Sequence, residues 1–219
     1  MPSDFYNVLV QLFMATFYHV DRSGNLEVGV VMDLHSPGKF FDNTIARSPE
    51  YNQEVLDRLY PDGLSSHGAK FAHSGLISDD PDILNDGWEA MSGVLKKRDL
   101  EEDVEFTDYT SPYVVNYEFL FELYRMLDFE DQYSRFQSYF GFEDLRAARE
   151  FSLVYRGLDS QIVKVECESF ERRDMELVKL KHFGHIFDHG RRYWSGEGSN
   201  NPDWEIVMEP PVEVVEIVD

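Results

Sequence analysis

The feature that most constrains this chain is a short alternating segment that runs into a glycine-bearing turn. Residues Thr16 to Val20 are aromatic or β-branched apart from one histidine, and such residues favour β-strands. Successive side chains of a strand point to opposite faces, so Phe17, His19 and Asp21 would share one face. The polar residues 23–25 then end the strand as a turn. The sequence therefore predicts an early strand that carries a histidine.

The rest of the chain alternates between helical and strand-like patterns. The predicted helices that begin near 49, 80 and 112 each follow a capping residue and a proline, and strands are predicted where apolar and polar residues alternate. The predicted helices cover 49–60, 80–97, 112–129, 143–151 and 180–194, and the predicted strands cover 28–34, 133–140, 161–167, 204–208 and 212–218. Strands at both ends with helices between them indicate an α+β fold. We expect a single domain over 1–219, with a helical insertion over 36–130.

The charge is the most unusual bulk property. The chain has 42 acidic and 20 basic residues, a net charge of −22, and 13 of its basic residues are arginine. Molar salt screens the self-repulsion of such a chain, so this composition is typical of a salt-loaded cytoplasm, the alternative being an ordinary acidic protein. Nucleic-acid binding is not expected, because phosphate contacts need wide basic surfaces.

Cysteine content and hydropathy limit the remaining classes. The single Cys167 excludes an internal disulfide framework and is compatible with a cytoplasmic protein. No segment reaches the roughly 18 apolar residues of a membrane helix, and the first 13 residues lack the basic start of a signal peptide. Met14 could equally be the start of the protein, in which case residues 1–14 include an N-terminal extension.

Several separated blocks resemble an uncharacterised ADP-ribosyltransferase-like family. His19 on the first strand is followed by a turn and a second apolar run, as at the opening of these proteins, and 134–140 with the Ala147-Ala148 helix is similar to their middle strand and helix. The tail is also similar: Tyr193-Trp194-Ser195-Gly196, Trp204-Glu205-Ile206-Val207, and Pro211 to Val218. The resemblance implies two small, mostly antiparallel sheets forming a cleft that binds NAD.

The same resemblance implies roles for individual residues. Glu205 would be the catalytic carboxylate, which stabilises the oxocarbenium-like state when the nicotinamide–ribose bond breaks, and His19 would hold a ribose. Ser134 would contact NAD from the middle strand, although its run Ser-Arg-Phe-Gln-Ser departs from the Ser-Thr-Ser of toxin-like members. Tyr139 or Tyr133 would form the nicotinamide wall. The structural alternatives are a solvated strand glutamate at Glu205 and a satisfied core histidine at His19.

A rival pattern lies in the last predicted helix. There His182, His185 and His189 have the three- and four-residue spacings of metal ligands. No glutamate follows the first histidine as it does in zinc proteases, so we interpret these residues as a solvated helix face and expect no metal. Nucleophilic catalysis has little support, because Cys167 lies in mid-strand and no Gly-x-Ser-x-Gly elbow is present.

The function implied by the resemblance is transfer of ADP-ribose from NAD to an unknown protein or nucleic-acid acceptor. The alternative is a non-catalytic interaction or structural protein that retains the scaffold, such as a component of a halophilic archaeal virus with a viral or host protein partner. A membrane partner is not expected. The departure from Ser-Thr-Ser favours the alternative, whereas Glu205 and the Trp194-Ser195-Gly196 block favour the enzyme.

Overall fold

The computed structural model describes residues 14–36, 50–69, 71, 112–154, 160–179 and 183–219. It has an α+β fold with two small antiparallel sheets and several helices. The chain forms two compact units, each assembled from separated segments. The first comprises Met1–Asp33, Phe140–Glu171 and Glu205–Asp219, and the second comprises Leu34–Tyr139 and Arg172–Trp204. The predicted helix 80–97 lies outside the described residues.

The secondary-structure elements are numbered in chain order. The strands are β1 (Ala15–Asp21), β2 (Val31–Met32), β3 (Tyr139–Gly141), β4 (Gln161–Cys167), β5 (Phe170–Asp174), β6 (Trp204–Met208) and β7 (Val212–Ile217). The helices are α1 (Glu50–Leu59), α2 (Pro112–Asp128), α3 (Leu145–Val154) and α4 (Ile186–Trp194). Short 3₁₀ helices span Arg135–Gln137, Met175–Val178 and Phe183–His185. Of the helices, α1 and α2 fall within the predicted insertion over 36–130.

The first unit contains a four-stranded sheet in the order β1-β4-β7-β2, with antiparallel neighbours. The predictions of β1, β4 and β7 are confirmed, and each end of these strands lies within one residue of its predicted position. The register places Phe17 opposite Val165 and places His19 opposite Val163. One face of the sheet is therefore apolar and buried, and His19 lies on that face among valines.

The second predicted strand is shorter than the sequence pattern suggests. A strand was predicted over 28–34, but only Val31–Met32 pairs with β7. Gly29 has φ of +87°, a left-handed conformation that a strand cannot contain. Its N–H donates to the carbonyl of Val214 at 2.8 Å, so a turn joins the sheet immediately before β2.

A second sheet has three strands in the order β3-β6-β5, so β6 is the central strand. The prediction of β6 over 204–208 is confirmed residue for residue. Strand β5 was not predicted, because its sequence Phe-Glu-Arg-Arg-Asp has neither apolar alternation nor β-branched residues.

The core of the second unit forms where α2 packs against α4. Phe121, Tyr193 and Trp194 are buried together, and the indole N–H of Trp194 donates to the carbonyl of Phe121 at 2.9 Å. Gly190 of α4 lies against the ring of Tyr124, where a Cβ would approach to 3.1 Å. A second cluster surrounds Phe136. Helix α4 starts at 186 rather than at the predicted 180, and residues 180–182 lie outside the described residues.

Candidate functional site

His19 is a polar residue on the apolar face of β1. Its Nδ1 lies 2.6 Å from the carbonyl oxygen of Phe140. Because a carbonyl can only accept, Nδ1 must carry the hydrogen of this bond. Burial lowers the pKa of His19, and the hydrogen bond to Phe140 only partly offsets that effect. At neutral pH the ring is therefore uncharged, with the lone pair on Nε2.

Asp21, at the end of β1, organises the turn that follows. Its carboxylate accepts hydrogen bonds from the turn and from β4. The donors are Ser23 N (2.9 Å), Ser23 Oγ (2.7 Å), Asn25 N (2.8 Å), Leu26 N (2.9 Å) and Gln161 Nε2 (3.2 Å). Burial alone would raise the pKa of Asp21, but the bonds from Ser23, Leu26 and Gln161 lower it to about 2. Asp21 thereby fixes the end of the strand that carries His19.

Glu205 lies on the central strand β6 and is only 3% exposed. In the structure, Ile206, Val207 and Met208 are also buried, so both faces of β6 are covered. The interpretation of Glu205 as a solvated strand glutamate is therefore wrong.

Backbone hydrogen bonds connect the strand of His19 with the residue after β3, and β3 in turn neighbours the strand of Glu205. Tyr18 N donates to Phe142 O at 3.0 Å, and Phe142 N donates to Tyr18 O at 2.9 Å. Phe142 directly follows β3, which neighbours β6 in the second sheet. A Cβ on Gly141 would lie 3.1 Å from both Tyr18 O and Met208 Cε, so glycine permits this close approach. All of these residues belong to the first unit.

Ser134 and Tyr139 belong to the second unit. The predicted strand over 133–140 is wrong, because Ser134 caps the 3₁₀ helix Arg135–Gln137 and the strand begins only at Tyr139. The Ser134 hydroxyl accepts from Phe136 N at 3.1 Å and donates to Glu122 Oε1 at 2.8 Å. These bonds give Ser134 a structural role. Its contact with NAD, and that of Tyr139, stay predictions.

A buried ion pair in the second unit was not predicted from the sequence. Arg135 donates from Nε and Nη2 to the two carboxylate oxygens of Glu118, at 2.8 and 3.0 Å, and from Nη1 to the Tyr193 hydroxyl at 2.5 Å. Although burial opposes ionisation, Arg135 holds the pKa of Glu118 well below its usual range. The available signal was a pair of glutamates four residues apart in an aromatic helix, Glu118 and Glu122.

Glu122, one helical turn after Glu118 in α2, accepts several side-chain hydrogen bonds. Its Oε1 accepts from Arg125 Nε and Nη2, at 3.1 and 2.8 Å, as well as from Ser134. Burial and the negative charge of Glu122 raise the pKa of Tyr60 far above its ordinary value. Both glutamates thus hold the segment 134–135 against α2, which positions the chain just before β3.

Comparison with known proteins gives a family match. Residues 17–219 match DUF2441, a family described as protein of unknown function. The chain belongs to this family. The matched region includes His19, Ser134, Tyr139 and Glu205. No curated protein matches the chain.

The histidines considered as metal ligands are partly brought together. The ring centroids of His185 and His189 are 4.9 Å apart, and His189 Nδ1 lies 3.1 Å from the carbonyl oxygen of Leu177. His182 lies outside the described residues. Within the ranges that the structure describes, no group of three histidine, cysteine or carboxylate side chains could hold a metal ion. The expectation of no metal stays a prediction.

The thiol of Cys167 is shielded from solvent. Cys167 ends β4 and is fully buried, and burial raises the pKa of its thiol to about 11. The thiol is therefore protonated at neutral pH and is a poor nucleophile.

Among the helices of the described ranges, none has the length and apolar character needed to span a membrane.

Proposed function

We propose that this chain binds NAD and transfers ADP-ribose to a macromolecular acceptor, using His19 and Glu205. The observation that carries the proposal lies within the first unit. His19, on the apolar face of β1, donates to the carbonyl of Phe140 in β3, the strand next to the one that carries the buried Glu205. A partly buried histidine that is hydrogen-bonded to β3, and a buried glutamate on the strand next to β3, are costly in a core that serves only for packing.

His19 has the chemistry of a ribose ligand in this proposal. Its Nδ1–H is engaged by Phe140, so Nε2 of the neutral ring is an acceptor. A ribose hydroxyl can donate to that lone pair. The hydrogen bond to Phe140 also restrains the ring, which lowers the conformational cost of binding.

Glu205 supplies negative charge where positive charge develops. In the proposed reaction the bond between ribose C1′ and the nicotinamide nitrogen breaks, and its electron pair leaves with the neutral nicotinamide. The ribosyl cation is captured by an acceptor nucleophile, which loses its proton to solvent or a nearby base. A carboxylate removed from water stabilises such a cation more strongly than a solvated one. The burial of Glu205 supports this role.

A non-catalytic interaction protein remains the second candidate. The observation that favours it is the engagement of Ser134 with Glu122 and Phe136, in a segment that is a 3₁₀ helix rather than a Ser-Thr-Ser strand. In such a protein the buried network would serve only to stabilise the scaffold.

Calorimetry and turnover separate the two candidates. NAD is titrated into the full chain in molar KCl, and nicotinamide release is followed with and without host lysate as the source of acceptor. The enzyme predicts NAD binding, weakened in His19→Ala and retained in the control Glu213→Gln, which changes an exposed carboxylate on β7. Wild-type protein that neither binds NAD nor releases nicotinamide with any lysate would leave the scaffold candidate standing.

A further inference from the structure

The second unit contains a pocket outside the residues discussed for NAD. Its volume is about 400 Å³, and its walls come from the 3₁₀ helix Met175–Val178, from α4 and from the loop 195–203. The side chains that line it include Lys179, His185, His189, Arg192, Asn200 and Asn201. Cationic and amide donors are thus concentrated here in a chain whose net charge is −22.

A buried carboxylate holds one wall of this pocket in place. Asp174 is fully buried, and its oxygens accept backbone N–H groups from Glu176 (3.0 Å), Asp203 (2.8 Å) and Ser199 (2.6 Å). Although burial opposes ionisation, the bonds from Ser199 and Asp203 keep the pKa of Asp174 below its ordinary value. The loop that presents Asn200 and Asn201 is therefore tied at both ends to an ionised side chain.

His185 and His189 form one side of the pocket, and His189 offers a hydrogen-bond acceptor beside the cationic and amide donors. His189 Nδ1 donates to the carbonyl of Leu177, so Nε2 is the ring atom that carries the lone pair in the uncharged form of the side chain. His185 stacks against it with ring centroids 4.9 Å apart, which restrains the His189 ring. A ligand hydroxyl is the natural partner of such a lone pair.

The cations at the pocket can exchange their partners. Lys179 Nζ contacts Glu176 at 3.0 Å and Asp203 at 3.2 Å, and all three side chains are about half exposed. Surface ion pairs of this kind are weak, so a ligand anion can replace one carboxylate. Arg192 donates to the carbonyl of Gly198 and lies at longer range from Asp188 (3.6 Å) and Glu197 (3.9 Å). Glu176 also lines the pocket and limits the anionic charge that it accepts.

We propose that this pocket binds a small phosphate ester that carries free hydroxyl groups. The phosphate lies toward Lys179 and Arg192, and a hydroxyl donates to His189 Nε2 while the Asn200 and Asn201 amides bind further oxygens. A volume of about 400 Å³ accommodates a pentose phosphate or a mononucleotide. The chemistry common to both is a pentose bearing a phosphate.

The test is calorimetric titration of the full chain with ribose 5-phosphate, AMP and inorganic phosphate, in buffer where circular dichroism shows the protein folded. We expect at least one of the two esters to bind, and inorganic phosphate to bind at least tenfold more weakly. Ribose 5-phosphate binding as tightly as AMP assigns recognition to the pentose phosphate, and preference for AMP adds the base. Equal binding of inorganic phosphate and both esters would overturn hydroxyl recognition.

Substitutions locate the binding. Lys179→Gln and His189→Asn should each weaken the better ester at least tenfold, and asparagine preserves a donor for the Leu177 carbonyl. Arg191→Gln is the matched control, because Arg191 is a half-exposed neighbour of Arg192 that pairs with Glu197 and does not line the pocket. Its affinity should stay within twofold of wild type. No binding of either ester at millimolar concentration, or equal losses in Arg191→Gln and Lys179→Gln, would overturn the proposal.

Discussion

Arg135 and Glu118 form a two-bonded ion pair inside the second unit, with Nε–Oε2 and Nη2–Oε1 distances of 2.8 and 3.0 Å. The two residues are 4% and 3% exposed. Desolvating two charges is costly, and the cost is offset only while both partners are present. The pair therefore joins α2 to the segment before β3 in a way that a single substitution cannot preserve.

Glu118→Gln should lower the free energy of unfolding by about 3–5 kcal/mol, because it removes the charged carboxylate that accepts two hydrogen bonds from the buried Arg135. Urea unfolding followed by circular dichroism measures this loss. The control is Glu150→Gln, whose partner Arg146 is exposed on the surface of α3, so that its effect should be much smaller. Equal effects of the two substitutions would contradict a buried pair.

Asp21 should contribute to stability in a defined range of pH. Its pKa is about 2 in the folded protein and about 3.8 without these contacts. Because the folded value is depressed, the contribution is fully present above about pH 4 and is lost as the pH falls toward 2. Asp21→Asn should cost about 1–2 kcal/mol at pH 7. Unfolding curves of both proteins between pH 7 and 2 should converge at the acid end, and a constant difference would refute the assignment.

Glu205 and His19 should affect different kinetic constants if the proposed function is correct. Glu205→Gln keeps the shape of the side chain and removes its charge, so kcat should fall about 100- to 1000-fold while NAD binding changes little. His19→Ala removes a ground-state contact, so the Kd for NAD should rise. A Glu205→Gln variant as active as wild type would move the catalytic carboxylate elsewhere, with Glu209 the next candidate.

Salt should stabilise the protein, and one cross-strand pair provides a local probe. The register of β4 and β7 places Glu166 opposite Glu213, and like charges in this arrangement destabilise a sheet. The Debye length falls from about 10 Å at 0.1 M to about 3 Å at 1 M salt. We expect the Tm to rise with KCl, and Glu213→Gln to raise the Tm at low salt but not at 1 M. A Tm that is flat or falls with KCl would argue against adaptation to salt.

Purified protein should contain no tightly held metal. His185 and His189 supply two imidazoles, and within the described ranges no third ligand joins them. Elemental analysis of untagged protein checks this expectation. One zinc per chain that disappears in His185→Ala would contradict it and would favour a hydrolase.

The sequence predicts an element correctly where its local residue pattern and its tertiary environment favour the same structure. Strands β1, β4 and β6 were predicted almost residue for residue, since their apolar residues recur with strand periodicity. Strand β5 was missed because Arg172 and Arg173 carry no such periodicity. Arg172 instead packs its guanidinium over the ring of Trp204, 4.3 Å from the centroid, a contact that sequence spacing cannot reveal.

The candidate site was predictable to a different extent. The strand position of His19 follows from sequence, whereas its neutral state depends on burial and on the carbonyl of Phe140, 121 residues away. The segment after Tyr133 was misassigned because its alternation fits a strand. Ser134 caps a 3₁₀ helix there, and Glu122 of the preceding helix α2 accepts a hydrogen bond from its hydroxyl. Long-range polar contacts of this kind override local preference.

The order β1-β4-β7-β2 has a consequence for biosynthesis. A ribosome delivers β1, β2 and β4 long before β7, yet β7 is the strand that separates β4 from β2. Until it emerges, β4 presents an open edge and β2 has no partner among the described strands, and such nascent edges are prone to aggregate. A chain released before Val212 would thus be a natural substrate for chaperones and proteases, and quality control would act on the last strand of the sheet.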